Sequence, residues 1–362
     1  EPYRRQRQMC IRDRILTNPV SNTFEKTQVA GYESLNWKDC YEKAAYYAGI
    51  IMGRNPDVSY GTYRLLSFDE LWKKSGFDES EHMFSVRTRS ADEEYGNGVH
   101  QWYCGMQDAG GVLQKGPWVG NRFHWYCLFD NEDYRITKGV KHRFQYDSQV
   151  KNGRGYYYPG TPEYKLMATG KNMDDVKVQE PVAPFNDGLT YTNSISSNCL
   201  AFTTKYADVT DPTIGRTDAY WPFLRYADIV LIYAEAQCEL NDGISQDAID
   251  ALNDIRIRSN AKEASVTGDG AIETKVELRS VIFEERAKEL AYEGDRRWDL
   301  LRWGIYLDVM NSLGGINEDG TRTPYDEGSI NKRREFRHLL YPLPSLEVST
   351  NMAIDKNNPG WN

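Results

Sequence analysis

Glu285 and Glu289 stand four residues apart inside a charged run, Glu284 to Gly304, that reads E-E-R-A-K-E-L-A-Y-E-G-D-R-R-W-D-L-L-R-W-G. On a helix this spacing puts two carboxylates on one face with Cβ atoms roughly 5–6 Å apart, close to what a retaining glycosidase needs between its acid and its nucleophile. That chemistry requires one carboxyl group to hold a proton near neutral pH. Arg286, Arg296 and Arg297 interleave with the pair, and neighbouring guanidinium groups keep carboxylates ionised. The same residue types are what an ion-paired helical corner needs, because a charge buried without a partner is strongly destabilising. Glu285, Arg286, Glu289, Arg296 and Asp299 are therefore assigned a structural role, and no residue is assigned as catalytic. The chain has no G-x-S-x-G, P-loop, dinucleotide fingerprint or zinc-type spacing to argue otherwise.

A different chemistry is offered by Gln101 to Tyr126. Here Trp102, Tyr103, Trp118, Trp125 and Tyr126 stand among glycines, with Gln101, Asn121 and Arg122 as nearby donors. Flat apolar faces beside hydrogen-bonding forks suit a pyranose ring. Trp102 and Trp118 lead, since Gly98 and Gly105 flank one and Gly116, Pro117 and Gly120 the other. A large scaffold must also cover its loops, so about half of these rings are expected to be core. The candidate carbohydrate-binding set is Trp102, Trp118, Trp125, Tyr103, Gln101 and Arg122. N-E-D-G and Y-D-E-G, within residues 314–329, lack the alternating oxygen ligands and terminal Glu of an EF-hand. No metal or cofactor is expected.

Periodicity gives the elements that must position these groups. Trp37, Cys40, Tyr41, Ala44, Ala48, Ile51 and Met52 form one helical stripe ending near Gly53. A short helix over Phe68 to Lys74 and a strand over Met83 to Arg87 follow. Tyr226, Ile229, Val230, Tyr233, Gln237 and Leu240 make a second stripe that Gly243 ends. Ser245 can cap the next helix, whose facing stripe is Ala248, Ala251, Leu252, Ile255 and Ser259. Such a hairpin has the length of one tetratricopeptide-type repeat without its consensus. In the charged run, Phe283, Ala287, Leu290 and Ala291 share a face, Gly294 ends that helix, and Asp295 stands where the next can be capped. Between the helical ends, residues 88–222 are rich in Gly, Asn, Asp and aromatics. They read as a loop-rich excursion with strands or extended segments at Gly153 to Pro159 and Cys199 to Tyr206.

Four motifs carry a family resemblance. Glu285, Arg286, Glu289, Leu290, Glu293, Gly294, Arg296, Asp299, Leu300 and Arg302 fit the pattern E-R-x-x-E-L-x-x-E-G-x-R-x-x-D-L-x-R. Arg225 to Ala236 (R-Y-A-D-I-V-L-I-Y-A-E-A), Leu339 to Pro344 (L-L-Y-P-L-P) and Asn358 to Trp361 (N-P-G-W) follow in the same order. Together they resemble the SusD/RagB family of Bacteroidetes outer-membrane nutrient-binding lipoproteins. The resemblance implies a mainly α fold of tetratricopeptide-type hairpins with a large loop-rich excursion containing a few short strands. It also implies a non-catalytic protein on the cell surface that hands oligosaccharides to a SusC-like TonB-dependent transporter. Peptide-binding members of the same family are the alternative, and a glycoside hydrolase is a third class.

Composition limits the partners. The net charge of −9 argues against nucleic acid, and no apolar run is long enough to span a membrane. The 25 Tyr and 9 Trp suit ligands that stack. Cysteines 10, 40, 104, 127, 199 and 238 and histidines 82, 100, 124, 142 and 338 show no metal-ligand spacing. Residues 1–14 are basic, aperiodic and non-native-looking, with an M-C-I-R-D-R string that resembles translated sequencing adapter. Residues 15–87 then form the first part of the helical scaffold, 88–222 the ligand-binding excursion and 223–362 the C-terminal helical region. The family's leader, lipidated cysteine and first helical hairpins are expected upstream, so membrane attachment is through a lipid that this chain does not carry.

Overall fold

The computed structural model describes residues 36–55, 58, 62–76, 80–90, 95–120, 125, 128–130, 132–141, 143–147, 153–157, 190–193, 202–312, 334–354, 356–358 and 360–361. The expectations for the 1–14 tail, Asn121, Arg122, Tyr126 and the 314–329 excursion lie outside these residues.

Helix α1, Trp37–Ile51, starts at Asn36, whose side chain accepts the Lys38 amide at 2.9 Å. It buries Cys40, Tyr41, Ala45, Ala48, Ile50 and Ile51. Trp37 departs from its expected stripe. In the first turn its ring meets the Tyr41 ring edge-on at 6.2 Å, and it stays 39% exposed. Helix α2, Phe68–Leu71, a 3-10 turn, Lys74–Gly76, and strand β1, His82–Val86, follow. Helix α3, Val99–Cys104, precedes β2, Met106–Gln107, and β3, Leu113–Lys115. Helix α4, Tyr134–Thr137, then leads to β4, Arg143–Phe144, β5, Arg154–Tyr157, and β6, Thr190–Asn193. Strand β5 pairs antiparallel with β4 and parallel with β6. Strand β7, Trp221–Arg225, returns to pair antiparallel with β1.

The Cys199 to Tyr206 stretch is not a strand where it is described. Residues 202–206 form a turn with a single bridge, Thr203 to Val140. Phe202 and Tyr206 point into the interior there, so the apolar residues that suggested a strand anchor a loop instead.

Strand β7 runs straight into helix α5, Tyr226–Leu240, on which α1, α6 (Gln246–Arg258) and α7 (Lys275–Glu289) all pack. Residues Ala227, Ile229, Val230, Leu231, Tyr233, Ala234, Ala236 and Cys238 of α5 are buried, so its apolar surface runs round the helix instead of along one stripe. Small residues allow the close approach: a Cβ on Gly49 of α1 would stand 3.4 Å from the Tyr233 ring. Ser245 caps α6 through the Ala248 amide at 3.3 Å, and Ala248, Ala251, Leu252, Ile255 and Ser259 are all buried. Thr274 and Glu277 form a capping box at the start of α7. Helix α8, Arg296–Arg302, α9, Tyr306–Ser312, a 3-10 turn, Phe336–Leu339, and α10, Ser345–Thr350, complete the described elements.

Truncating Leu252, fully buried between α5 and α6, to Ala is expected to cost about 2–5 kcal/mol, against about 1 kcal/mol for Ser245→Ala at the cap. Urea unfolding monitored by circular dichroism measures both, and equal losses would contradict this placement of the core.

Candidate functional site

The charged corner is a solid block of ion pairs. Arg225, at the junction of β7 and α5, is fully buried and donates to Glu81 at 2.6 Å, to Glu289 at 3.0 Å and to both oxygens of Glu293 at 2.8 Å. Arg258, in the last turn of α6, reaches Glu81 at 3.3 Å and Glu289 at 2.5 Å. Arg135 joins Asp133 to Glu285 and Glu289, Arg256 takes the second oxygen of Glu285 at 2.8 Å, and Lys205 donates to Glu293 at 2.6 Å. The acids Glu81, Asp133, Glu285, Glu289 and Glu293 thus face Arg135, Lys205, Arg225, Arg256 and Arg258, and their formal charges cancel.

A second network lies on the other side of α7. Arg286 binds Asp299 through two nitrogens at 2.9 and 3.0 Å and Asp228 at 2.9 Å. Arg302 pairs with Asp299 and, through both terminal nitrogens, with Glu235. Glu235 also accepts the Tyr41 hydroxyl at 3.1 Å and the Trp303 indole N–H at 3.0 Å.

Burial alone pushes the Glu285 carboxyl up, but Arg135 and Arg256 outweigh it and hold the group below its usual range. Burial is likewise overcome at Glu289 by Arg258, Arg225 and Arg135, and at Glu293 by Arg225 and Lys205. Neither Glu285 nor Glu289 can serve as a proton donor in this setting, and both are closed off from solvent. Arg296 departs from its expected place. Its side chain is exposed, donates to the Phe283 carbonyl at 3.2 Å and lies 5.5 Å from the Trp303 ring. It forms none of the ion pairs that hold Glu285 and Glu289, and Arg225, Arg135, Arg256 and Arg258, which lie far off in sequence, take that role. Asp295 occupies the N-cap position of α8 without a capping side-chain bond.

The aromatic face is built on α3, which is short and bracketed by Gly98 and by Gly105 at φ 80°. Its inner residues fix it. His100 donates through Nδ1 to the Tyr206 carbonyl at 2.7 Å, and the Cys104 thiol donates to the Thr203 carbonyl at 3.2 Å. Burial pushes the Cys104 thiol up to about 12, so it is an anchor and not a nucleophile. Trp102 is left on the outer side, 45% exposed, with its indole so close over Gly98 that a Cβ there would come within 2.9 Å of the ring. Its carbonyl accepts the amides of Trp118 at 2.8 Å and Val119 at 2.9 Å, which brings the 67% exposed Trp118 alongside.

Tyr103 is half-buried, its ring meeting those of Tyr206, Trp221 and Tyr292 at 5.2, 5.9 and 5.9 Å. Gln101 is half-buried against Gly215. Trp125 is a core residue and not a ligand platform: it is buried, its N–H donates to the Ala287 carbonyl at 2.9 Å, and Phe129 and Tyr292 meet its ring edge-on. Among the described residues no cluster of His, Cys, Asp or Glu could hold a metal ion, and no helix is long and apolar enough to cross a membrane.

The family model described as SusD family matches residues 107–361. SusD-like protein P38 of Formosa agariphila is 36% identical over 142 residues, which is 38% of this chain and 25% of that protein. SusD-like protein P2 of the same organism is 33% identical over 142 residues, with the same shares. A SusD homolog from Bacteroides thetaiotaomicron superposes with a TM-score of 0.61 at 20% identity, covering 92% of this chain and 61% of its own. Surface glycan-binding protein A from Bacteroides thetaiotaomicron, solved in complex with laminarihexaose, gives a TM-score of 0.52 at 17% identity, covering 89% and 60%. The chain therefore spans only part of these relatives, and at such identities the structural likeness is one of fold.

Two outcomes follow from the corner. Arg225→Met, which strands Glu81, Glu289 and Glu293, should destabilise by about 3–5 kcal/mol, and Arg296→Ala by about 1 kcal/mol or less; chemical denaturation of the two variants checks the difference. The folded-state values of Glu285, Glu289 and Glu293 lie below their unfolded ones. Their contribution is thus complete above about pH 4.3 and is lost as pH falls further and the unfolded chain binds more protons. Melting temperature should be flat from neutral pH to about pH 5 and fall below about pH 4. A melting temperature that rose on acidification would contradict the pairing.

Proposed function

Because the chain belongs to the SusD family, we propose that it is a non-catalytic glycan-binding protein of the bacterial cell surface, which captures oligosaccharides and passes them to a SusC-like TonB-dependent outer-membrane transporter. The observation that carries this reading is the pairing of Trp102 with Trp118. Trp102 is carried on a glycine-bracketed helix whose inner side is bonded to the scaffold, and its carbonyl accepts the backbone amide of Trp118, so two exposed indoles project from bonded backbone. Exposed tryptophans on a fixed backbone give sugar rings a stacking surface at little ordering cost. Tyr103 and Gln101 flank this surface, and Arg122 completes the proposed set. Binding of laminarihexaose by a protein of the same fold supports carbohydrate as the ligand class.

A binding role without turnover is supported by the corner, where the Glu285 and Glu289 carboxylates, spaced like a glycosidase pair, are buried among arginines. Attachment to the outer membrane would come from a lipid on an upstream cysteine, with the protein seated as a lid on its transporter. Co-purification of the full-length native protein with such a barrel is expected, and a protein found free in the periplasm would contradict it.

One ring stacked on about 50–80 Å² of sugar carbon contributes on the order of 1–2 kcal/mol. Trp102→Ala and Trp118→Ala should each weaken oligosaccharide binding by roughly tenfold in calorimetry, with melting unchanged. The sugar should be returned uncleaved. Unchanged affinity in both variants would move the site elsewhere, and binding of peptides but not glycans would replace the ligand class.

A further inference from the structure

A second pair of exposed aromatic rings lies in the C-terminal region, where three of the motif segments meet. Trp298, on α8, is 46% exposed, and Tyr341, just past the 3-10 turn, is 59% exposed. Their ring centroids stand 6.4 Å apart with the planes at 60°, so the two rings open a notch instead of closing face to face. The frame around them is bonded. The Arg297 guanidinium lies 4.5 Å from the Tyr341 ring and 4.7 Å from the Tyr306 ring, and it donates to the Tyr306 hydroxyl at 2.6 Å and to the His338 carbonyl at 2.8 Å. The Asn358 side chain donates to the Tyr341 carbonyl at 2.7 Å, and the Trp361 indole N–H donates to the carbonyls of Arg337 and Leu340 at 2.8 and 3.2 Å. The N-P-G-W segment thus fastens the chain around L-L-Y-P-L-P, and Arg297 ties it to α8.

The polar ends of these two rings are unspent. Trp125, Trp303 and Trp361 donate their N–H groups to internal acceptors, whereas the Trp298 N–H and the Tyr341 hydroxyl have no hydrogen-bond partner among the described residues. A ring that only fills a core spends its polar end inside, because a buried donor without an acceptor is costly. Flat apolar faces with outward donors, on a backbone that is already ordered, match the C–H faces and hydroxyls of a pyranose ring. Arg297 already donates to Tyr306 and His338, so the notch itself offers rings and neutral donors, which suits an uncharged sugar. We infer that Trp298 and Tyr341 form a second carbohydrate-binding patch, which takes a neutral sugar unit and gives the protein a second hold on a long glycan chain. The inference takes its ligand class from the glycan-binding reading above, yet the two patches share no residue: Trp102 is carried on α3, which is bonded to Tyr206 and Thr203. Two linked holds on one polymer bind it far more tightly than either does alone.

The test is affinity electrophoresis of the whole chain in gels that contain laminarin, xyloglucan, galactomannan or pullulan, with melting measured in parallel. At least one of these neutral polysaccharides should retard the protein, and Trp298→Ala/Tyr341→Ala should weaken that binding by roughly tenfold. In a Trp102→Ala/Trp118→Ala background some retardation should remain, and adding Trp298→Ala/Tyr341→Ala should abolish it. Tyr341 is the more exposed ring of the pair, so Tyr341→Ser alone should keep the melting temperature and still weaken binding by roughly two- to fivefold, which decides the matter if the double variant melts lower. Unchanged retardation of Trp298→Ala/Tyr341→Ala and of Tyr341→Ser, with loss of retardation in Trp102→Ala/Trp118→Ala, would overturn the second patch and leave the α3 site standing. Retardation of the wild-type chain by none of the polysaccharides would remove the glycan reading and this inference with it.

Discussion

Arg225 is the interaction on which the rest of the structure depends. Its side chain is buried at the point where β7 becomes α5, and it is shared between Glu81 ahead of β1, Glu289 at the end of α7 and Glu293 in the turn beyond. A guanidinium cannot be taken out of water for one carboxylate alone, because the desolvation of both ions exceeds what a single pair returns. It becomes favourable only when its donors are filled by several acids that are themselves completed by other cations. Arg258, Arg135, Arg256 and Lys205 supply that completion. Segments from most of the described chain must arrive together for the charges to cancel, which makes the corner a strict condition on the arrangement of β1, α4, β7, α6 and α7.

The same corner reaches the aromatic face on α3 through the end of α7. Helix ends leave carbonyls without intrahelical partners. Here Lys205 takes the carbonyls of Glu289 and Ala291 at 2.9 and 2.8 Å, and the next residue, Tyr206, donates its hydroxyl to the Tyr292 carbonyl at 2.9 Å. Tyr292 accepts a left-handed backbone, at φ 68°, that a non-glycine residue adopts only when its surroundings hold it. Its ring meets Tyr103 and Trp125 edge-on, and the Tyr206 carbonyl takes the His100 N–H. An unbroken chain of contacts thus runs from the ion pairs through Tyr206 and Tyr292 to α3. Trp102 is rigid because its inner neighbours His100, Tyr103 and Cys104 belong to that chain.

The parts of this fold that were legible in sequence are those with a local signature. The α5 and α6 hairpin, the Ser245 cap, the His82–Val86 strand and the charged corner all follow from periodicity or capping chemistry within one segment. The Glu284 and Lys288 pair, one turn apart, is found at 2.6 Å. The other members of the corner were not legible, because Glu81, Arg135 and Lys205 carry no local mark of their burial and reach the corner only through tertiary packing. Arg296 was misplaced for the same reason: its interleaved position shows that a guanidinium is near, and only the start of α8 decides which way it points. Trp125 and Trp102 look alike in sequence, yet one is bonded to the Ala287 carbonyl inside the core and the other lies outside over Gly98. What separates them is whether the indole N–H has an internal acceptor, which is a property of the fold.

Arginine serves both regions, and its role is set by what surrounds it. Inside the corner, Arg225 and Arg286 are flanked by carboxylates at hydrogen-bond distance and shielded from water, and each guanidinium nitrogen donates to a carboxylate. At the surface, the Arg87 and Arg89 guanidinium groups lie 5.6 and 5.8 Å from the Tyr220 and Tyr95 rings. The family motif therefore reports the closed arrangement, with Arg225, Arg286, Asp299 and Arg302 fastening helices to one another, and says little about the ligand. The proposed ligand residues Gln101, Trp102, Tyr103 and Trp118 all lie outside that motif, on α3 and in the segment after β3.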